Sequence, residues 1–303
     1  MQDAGWLWII FTLIAAAAQT VRNAAQRELT AKLGTVGATH VRFLFGLPFA
    51  CLFLAGVSLV SAEWPPWPPA IYWPWVIDGA AAQFAATGLM LAAMRERSFV
   101  VTIAYIKTEP VQVALFGLVL LGDVITWPVA LAILIATAGV MLMSVQRGVV
   151  AESLSPSQLK PTLMGLGAGG LFGLSAVGYR GAILSLGLSN FVMAATFTLT
   201  IGLALQSIVL TAWLWWRDPG VLAAIARAWR PSLFAGFMGA LASQFWYLAF
   251  ALATAASVRT LALVEVLFAQ AVSRFAFRQP TSAREAIGIV LIVVGVAVLI
   301  LAS

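Results

Sequence analysis

The stretch EAIGIVLIVVGVAVLILA, residues 285–302, decides the class of fold to which this chain belongs. After its glutamate it contains only apolar side chains and glycine, and a helix of about 20 such residues crosses the hydrocarbon core of a bilayer. A strand of a membrane barrel has about ten residues and alternates apolar with polar side chains, which this run does not do. Because lipid offers no partner to backbone polar groups, the run predicts a transmembrane helix.

The composition of the whole chain extends this prediction. Of the 303 residues, 62% are hydrophobic and 9% are charged, whereas soluble domains carry about 25% charged residues. One soluble core of this length cannot bury so much apolar surface. The net charge of +6 would suit a nucleic-acid-binding protein, but the basic residues lie in short breaks between apolar runs, without stacking aromatic residues on a polar face. We therefore expect lipid, and no nucleic acid, around this chain.

Ten apolar runs follow one another along the sequence and predict an all-α, polytopic membrane protein of ten transmembrane helices, called spans 1 to 10 here. Their bounds are 6–21, 34–60, 72–94, 98–121, 127–145, 161–179, 188–216, 231–253, 256–277 and 285–302. Span 1 is short, so we expect its helix to continue through 22–29. The breaks between runs are also short, which makes consecutive spans antiparallel neighbours.

An internal repeat divides the chain in two. The longest polar break, 146–160, separates residues 1–150 from residues 151–303, and each part holds five spans. A shift of 156 residues places Glu109 on Glu265 and Gly139 on Gly295. Because five is an odd number, the second half must enter the membrane upside down relative to the first. The sequence therefore predicts an inverted-topology repeat, a common plan for transporters.

The distribution of positive charge predicts an orientation. Thirteen of the seventeen Lys and Arg residues lie in or beside the odd-numbered breaks between spans, and the even-numbered breaks hold only Arg180. The thirteen are Arg22, Arg27, Lys32, Arg95, Arg97, Arg147, Lys160, Arg217, Arg227, Arg230, Arg274, Arg278 and Arg284. By the positive-inside rule the odd breaks face the cytoplasm, so both termini face outward.

Ionisable side chains inside the spans are the most informative residues for function. The five singled out are Arg42 in span 2, Lys107 and Glu109 in span 4, and Arg259 and Glu265 in span 9. A charge at the bilayer centre costs about 2.5–3.5 kcal/mol on insertion scales, so each needs a partner or a function. Two interpretations stay open: interhelical ion pairs that fix packing, or a carboxylate that binds a proton or a substrate ammonium group.

The spacing within span 4 adds two local expectations. Lys107 and Glu109 are two residues apart, so on a regular helix they point about 200° from each other. We therefore expect one to face a cavity and the other a neighbouring helix. Pro110 removes a backbone donor directly after them, which predicts that span 4 bends or loosens at this depth.

Aromatic and amide side chains complete the candidate site. Such groups suit small organic ligands, although each serves equally well in ordinary packing. The candidates for substrate binding or coupling are Lys107, Glu109, Glu265, Arg259, Arg42, Gln83, Tyr105, Tyr179, Gln244, Trp246 and Tyr247.

Several other chemistries are not expected. The sequence has no phosphate-binding loop with Lys and Ser/Thr, so we expect no ATPase activity and no ATPase subunit is implied. Gly165, Gly169 and Gly173 in span 6 are spaced by four and favour close helix packing. The chain has one His and one Cys, so we expect no metal site, and no other cofactor.

These motifs resemble the drug/metabolite transporter superfamily, in its ten-helix EamA-type branch, over nearly the whole chain. The resemblance rests on 41–46, on the run from Ser98 through Glu109 and Pro110 to 121–123 and 138–140, and on its repeat from Ala256 through Glu265 to 295–296. It implies two inverted five-helix repeats around a central cavity lined chiefly by spans 1–4 and 6–9, and transport by alternating access. Small four-helix relatives carry a coupling glutamate in their first helix, which span 1 lacks before Glu28.

The resemblance also implies the class of substrate. Ten-helix members are similar to exporters of amino acids and related metabolites, and to nucleotide-sugar or sugar-phosphate exchangers. A phosphorylated substrate would need a dense cluster of cavity cations, and only Lys107, Arg42 and Arg259 are available. We therefore predict a bacterial-type inner-membrane exporter of small amphipathic metabolites, with amino acids, aromatic ones included, favoured. A multidrug exporter of the same superfamily is the alternative, and a membrane-embedded enzyme is a rival from another class. Whether transport is proton-coupled or facilitative stays open.

Overall fold

Helices make up every regular element in the described part of a computed structural model of the chain. The structure describes residues 5–65, 67–96, 105–144, 156–275 and 282–302. The elements are α1 Leu7–Leu44, α2 Gly46–Ser61, α3 Tyr72–Glu96, α4 Glu109–Phe116 with the π-helical turn Gly117–Leu121, α5 Trp127–Ser144, α6 Pro156–Ser185, α7 Phe191–Arg217, α8 Pro219–Arg227, α9 Trp229–Leu252, α10 Ala255–Leu261, α11 Val264–Phe275 and α12 Ala283–Ala302. The predicted all-α class is confirmed over these ranges.

Several helices have the length and apolarity of membrane spans. Five of the described helical stretches are long and apolar enough to cross a bilayer. They are Glu28–Ser61, which takes in the end of α1 and all of α2, and Thr162–Ser185, Phe191–Arg217, Trp229–Leu252 and Ala283–Ala302. Shorter apolar helices cover Leu7–Asn23, Glu109–Leu121 and Trp127–Met143. Parts of predicted spans 4, 5 and 9, and most of the break at 146–160, lie outside the described residues. The membrane class is therefore supported, while the count of ten spans stays a prediction.

α1 runs through the break predicted between spans 1 and 2. The helix continues past residue 29, as expected for a short first span. After an interruption at Gly34, a second helical segment of α1 ends at Leu44. One residue inside α1 is not helical: Gly34 has φ 68° and ψ 174°. A side chain with a Cβ would be strained in this conformation, so glycine allows the chain to turn there between two helical segments.

The chain divides into two compact units, each built from separate parts of the sequence. Unit 1 contains Met1–Ala80 and Gly178–Leu252, and unit 2 contains Ala81–Val177 and Ala253–Ser303. In unit 1, α1 packs along α9, and α2 packs on α7 and α9. In unit 2, α5 packs along α12, and α4 packs on α10. These units differ from the two halves predicted from the internal repeat, which meet at residue 150. The repeat relates residues by sequence and the units group them by packing, so the predicted halves stay a prediction.

Glycines bring helices of unit 2 into close contact. A Cβ on Gly139 of α5 would lie 2.8 Å from the carbonyl oxygen of Gly288 on α12, and one on Gly295 would lie 2.7 Å from the backbone nitrogen of Ala136. On α6, a Cβ added at any of three glycines would lie 3.0 Å or less from atoms of residues 105–113, at and just before α4. The three are Gly165, Gly169 and Gly173. The prediction that these three glycines serve helix packing is confirmed.

The outer surfaces carry large apolar side chains. Val60 is 91% exposed and Leu301 is 88% exposed. In water such surfaces would favour aggregation, whereas lipid tails solvate them. Trp64 and Trp67 are also exposed, in the segment between α2 and α3, and tryptophan is the residue that concentrates at the membrane interface.

Candidate functional site

The carboxylate of Glu109 is held by two hydrogen bonds from one guanidinium group. Arg259 Nε donates to Glu109 Oε1 at 2.6 Å, and a terminal nitrogen of Arg259 donates to Oε2 at 2.7 Å. The Glu109 side chain is 7% exposed, and Arg259 keeps 21% of its side chain exposed. This fork geometry is the strongest common form of ion pair, and it joins α4 to α10.

A second ion pair lies beside the first in unit 2. The Nζ of Lys107 pairs with Oε1 of Glu265, and both side chains are largely buried. Lys107 lies directly before α4, and Glu265 lies in the first turn of α11. All four predicted charges of spans 4 and 9 are therefore brought together in one unit, as two pairs.

Both spans that carry these charges are interrupted at the ion pairs. Span 4 has a turn at Lys107 and Thr108, and span 9 has a turn at Ala262 and Leu263. Around the turns, backbone N–H groups donate hydrogen bonds to the carbonyl three residues earlier, whereas in an α-helix they donate to the carbonyl four residues earlier. Examples are Thr108 N–H to the Tyr105 carbonyl and Glu265 N–H to the Ala262 carbonyl. Under the shift of 156 residues, positions 107–108 correspond to 263–264, so the two interruptions overlap with an offset of one residue.

The turn in span 4 corrects one expectation and confirms another. Lys107 and Glu109 do not divide between a cavity and a helix, because both bind partners on the α10–α11 segment. The expected 200° separation assumed a regular helix, and the turn breaks that geometry. The predicted effect of Pro110 is confirmed, since it occupies the first turn of α4 directly after the interruption. Proline is tolerated there because its missing N–H has no helical partner to lose.

The other candidates of unit 2 are Tyr105 and Gln83. Tyr105 lies against Gly165, where a Cβ would be 2.8 Å from the tyrosine Cβ. Gln83 is partly buried on α3. Sequence reasoning missed Gln112, whose Nε2 donates to Thr108 Oγ1 at 3.1 Å and to the Leu166 carbonyl at 3.3 Å. This amide links the interrupted span to α6, and its place one turn after the Lys107–Glu109 segment is the signal that could have indicated it.

In unit 1, Arg42 lies close to two tyrosines. Its charge interacts with the phenol groups of Tyr179 and Tyr247, whose ring centroids are 4.9 Å apart. Both hydroxyls would be 3.5 Å from a Cβ placed on Gly202 of α7, so the glycine leaves room for them. Arg42 belongs to the last turn of α1, directly before the one-residue interruption at Phe45 that separates α1 from α2.

A second arginine, missed as a site residue, lies beside Arg42. A Cβ on Gly239 of α9 would be 3.2 Å from Cγ of Arg42 and 3.5 Å from Cδ of Arg22. Arg22 is only 8% exposed, and its terminal nitrogen donates to Asn23 Oδ1 at 2.7 Å. The sequence analysis counted Arg22 as a topology signal in a break. The expected continuation of span 1 through 22–29 could have indicated that it lies inside a helix.

The remaining candidates of unit 1 are on α9. Gln244 donates from Nε2 to Thr196 Oγ1 at 2.7 Å, while its Oε1 is buried with no hydrogen-bond partner among the described residues. Trp246 donates to Gln19 Oε1 at 3.2 Å. The rings of Tyr179, Tyr247, Phe250 and Trp246 form a series of neighbours with centroids 4.9 to 6.4 Å apart.

The fold and these sites define a class: an all-α membrane protein whose apolar helices are interrupted at buried, charged residues. Residues 6–145 match the family model described as the EamA-like transporter family. The expected resemblance to EamA-type members of the drug/metabolite transporter superfamily is thereby confirmed.

Solved structures support the fold alone. One, described only as the crystal structure of a protein, is similar over 98% of this chain and 96% of its own, with a TM-score of 0.69 and 14% sequence identity. No curated protein sequence matches the chain.

Proposed function

We propose that the protein is a secondary transporter that exports small amphipathic metabolites, with amino acids, aromatic ones included, as its substrates. The match of residues 6–145 to the EamA-like transporter family supports the general class. The observation that carries the mechanism is the interruption of two apolar spans at their buried charges. Broken helices at membrane depth are the usual way in which secondary transporters present polar groups to a substrate. Alternating access would then work by changes at these flexible points.

The architecture that we propose is ten spans in two inverted five-helix halves, 1–150 and 151–303. Three observations support it. The interruptions of spans 4 and 9 are within one residue of equivalent positions. Equivalent spans pack on each other, as α2 does on α7, α4 on α10 and α5 on α12, which is expected of elements near a two-fold axis. Each glutamate also binds a cation from the opposite half of the chain.

We propose that the two ion pairs hold span 4 against span 9 in the conformation described. Glu109 and Glu265 each have a cationic partner in this conformation. The structural interpretation of these charges is therefore favoured for this conformation. The transport assay with and without a pH gradient tests whether either glutamate couples transport to protons.

The location that we propose is the bacterial-type cytoplasmic membrane, with both termini outside. The positive charges of the break between spans 7 and 8 support it, because Arg217, Arg227 and Arg230 are exposed around the short helix α8. Arg217 and Arg230 also lie over the rings of Trp216 and Trp229, at 5.7 and 5.4 Å. Arginine with tryptophan is typical of the headgroup region on the cytoplasmic side.

A substrate panel in proteoliposomes tests the proposed function. We expect labelled phenylalanine or another amino acid to be transported, with organic drug cations as weak competitors. A preference for drug cations would support the multidrug alternative. The neighbouring aromatic rings of unit 1 would also suit substrates of that kind. Running the panel with and without a pH gradient, on wild type and on Glu109→Gln and Glu265→Gln, separates proton-coupled from facilitative transport. Transport of no solute above empty liposomes would contradict the proposal.

A further inference from the structure

We propose that Arg42, together with the hydroxyl groups of Tyr179 and Tyr247, binds the carboxylate group of the transported molecule. The inference rests on the proposed function and narrows its substrates to small organic acids with an apolar or aromatic body. It assigns to unit 1 a binding role that the ion pairs of unit 2 do not supply.

The first argument is that Arg42 differs from the other charges inside the spans. Lys107 and Arg259 each have a glutamate partner. Among the residues described, no carboxylate pairs with Arg42, and its Nε is buried without a hydrogen-bond partner. A guanidinium at membrane depth needs compensation. The Arg42 guanidinium carbon lies 5.0 Å from the centroid of the Phe43 ring, and its charge interacts with the two tyrosine phenols. These uncharged groups compensate the positive charge only in part. A carboxylate from outside the chain would do so fully.

The second argument is the chemistry around the guanidinium. The planar fork of arginine matches a carboxylate with two parallel hydrogen bonds. The two tyrosine hydroxyls lie together against Gly202 and can donate to the same anion. The buried Arg22, packed on the same glycine as Arg42, adds a second positive charge nearby. Arg42 as a whole is partly exposed, while its Nε is buried and has no hydrogen-bond partner among the described residues.

The third argument concerns the rest of the ligand. From Tyr179 and Tyr247 the aromatic series continues to Phe250 and Trp246. A ligand whose carboxylate meets Arg42 would place its remaining atoms along ring faces and edges, which suits an apolar or aromatic body. These rings carry few donors and no charge, so they select against a strongly polar side chain at the end of the ligand away from its carboxylate.

Competition on the wild-type protein tests the proposal without any variant. Uptake of labelled phenylalanine into proteoliposomes is measured against 3-phenylpropanoate, which keeps the carboxylate, and against phenylethylamine, which lacks it. We expect 3-phenylpropanoate to compete at least about tenfold better than phenylethylamine, because a charge-assisted bidentate bond contributes about that factor or more. Equal competition, or better competition by the amine, would overturn the inference.

Variants then locate the carboxylate site. We expect Arg42→Gln to raise KM for phenylalanine about tenfold or more and to remove the advantage of 3-phenylpropanoate. Tyr247→Phe keeps the ring and should raise KM by a smaller factor. Arg217→Gln, an exposed arginine of the same unit, serves as the matched control and should leave KM unchanged, and size-exclusion chromatography checks folding. If wild type transports phenylalanine and Arg42→Gln keeps its KM and its competition pattern, this inference fails. If wild type transports no amino acid, the proposed function itself fails.

Discussion

At the scale of single residues, burial makes each charge depend on its partner. Glu109 is 7% exposed and takes both of its hydrogen bonds from Arg259. When two opposite ions are buried together, their attraction offsets the free-energy cost of removing both from water. An ion buried without a partner has no such attraction to offset that cost. The pair joins residues that are far apart in sequence, so no local pattern could have matched Glu109 with Arg259. The sequence showed only that each needed a partner.

Glu109→Gln should therefore destabilise the protein strongly. We expect a loss of about 3–5 kcal/mol, because the neutral amide no longer supplies the negative charge that balances the largely buried guanidinium of Arg259. Thermal unfolding in detergent measures it as a fall in Tm. The matched control is Glu28→Gln, which breaks the exposed pair of Glu28 with Lys32 and should cost less than about 0.5 kcal/mol. The double variant Glu109→Gln/Arg259→Gln should recover part of the loss. Equal Tm values for the two single variants would show that the buried pair does not stabilise the fold.

At the scale of elements, the interruptions of spans 4 and 9 matter most. The one in span 4 could be predicted, because Pro110 cannot continue a helix that begins before it. The one in span 9 could not, because residues 260–266 contain neither proline nor glycine. There the turn at Ala262 and Leu263 is imposed by packing against span 4. Local sequence therefore predicted one interruption, and only the repeat relates it to the other.

Close helix packing gives a second prediction. A Cβ on Gly295 would lie 2.7 Å from a backbone nitrogen of α5, which cannot move aside as a side chain could. We expect Gly295→Ala to cost about 1–3 kcal/mol through this overlap. Gly56 on α2 has no atom within 4 Å of its Cβ position, so Gly56→Ala should be neutral or slightly stabilising. Thermal unfolding of the two variants decides the matter, and a Gly295→Ala protein as stable as Gly56→Ala would refute the tight contact of α5 with α12.

At the scale of the whole molecule, composition predicted the class correctly, and the contacts that organise each unit needed the structure. The apolar run 285–302 became α12, whose outer residues are exposed as lipid-facing residues should be. Arg22 shows the limit of this reasoning. A polar stretch of sequence looked like a break between spans, yet α1 passes through it and buries the arginine.

The proposed orientation can be tested on intact cells. In a Cys51→Ser background, the variant Ser303→Cys carries one thiol, at the C-terminus. We expect a membrane-impermeant maleimide to label it from outside, since the positive charges of the odd breaks keep those breaks in the cytoplasm. A cysteine placed at exposed Arg227 serves as the control for the opposite side. Labelling of Ser303→Cys only after the cells are opened would reverse the orientation.

The central claim is that the chain alone carries a solute across a membrane without ATP. Counterflow tests it most directly: proteoliposomes loaded with unlabelled phenylalanine are diluted into a trace of labelled phenylalanine, with no ATP and no pH gradient. An alternating-access carrier of this amino acid should accumulate the label transiently above its outside concentration, and empty-loaded vesicles should not. Label that only equilibrates, at the same rate with and without internal phenylalanine, would contradict the account.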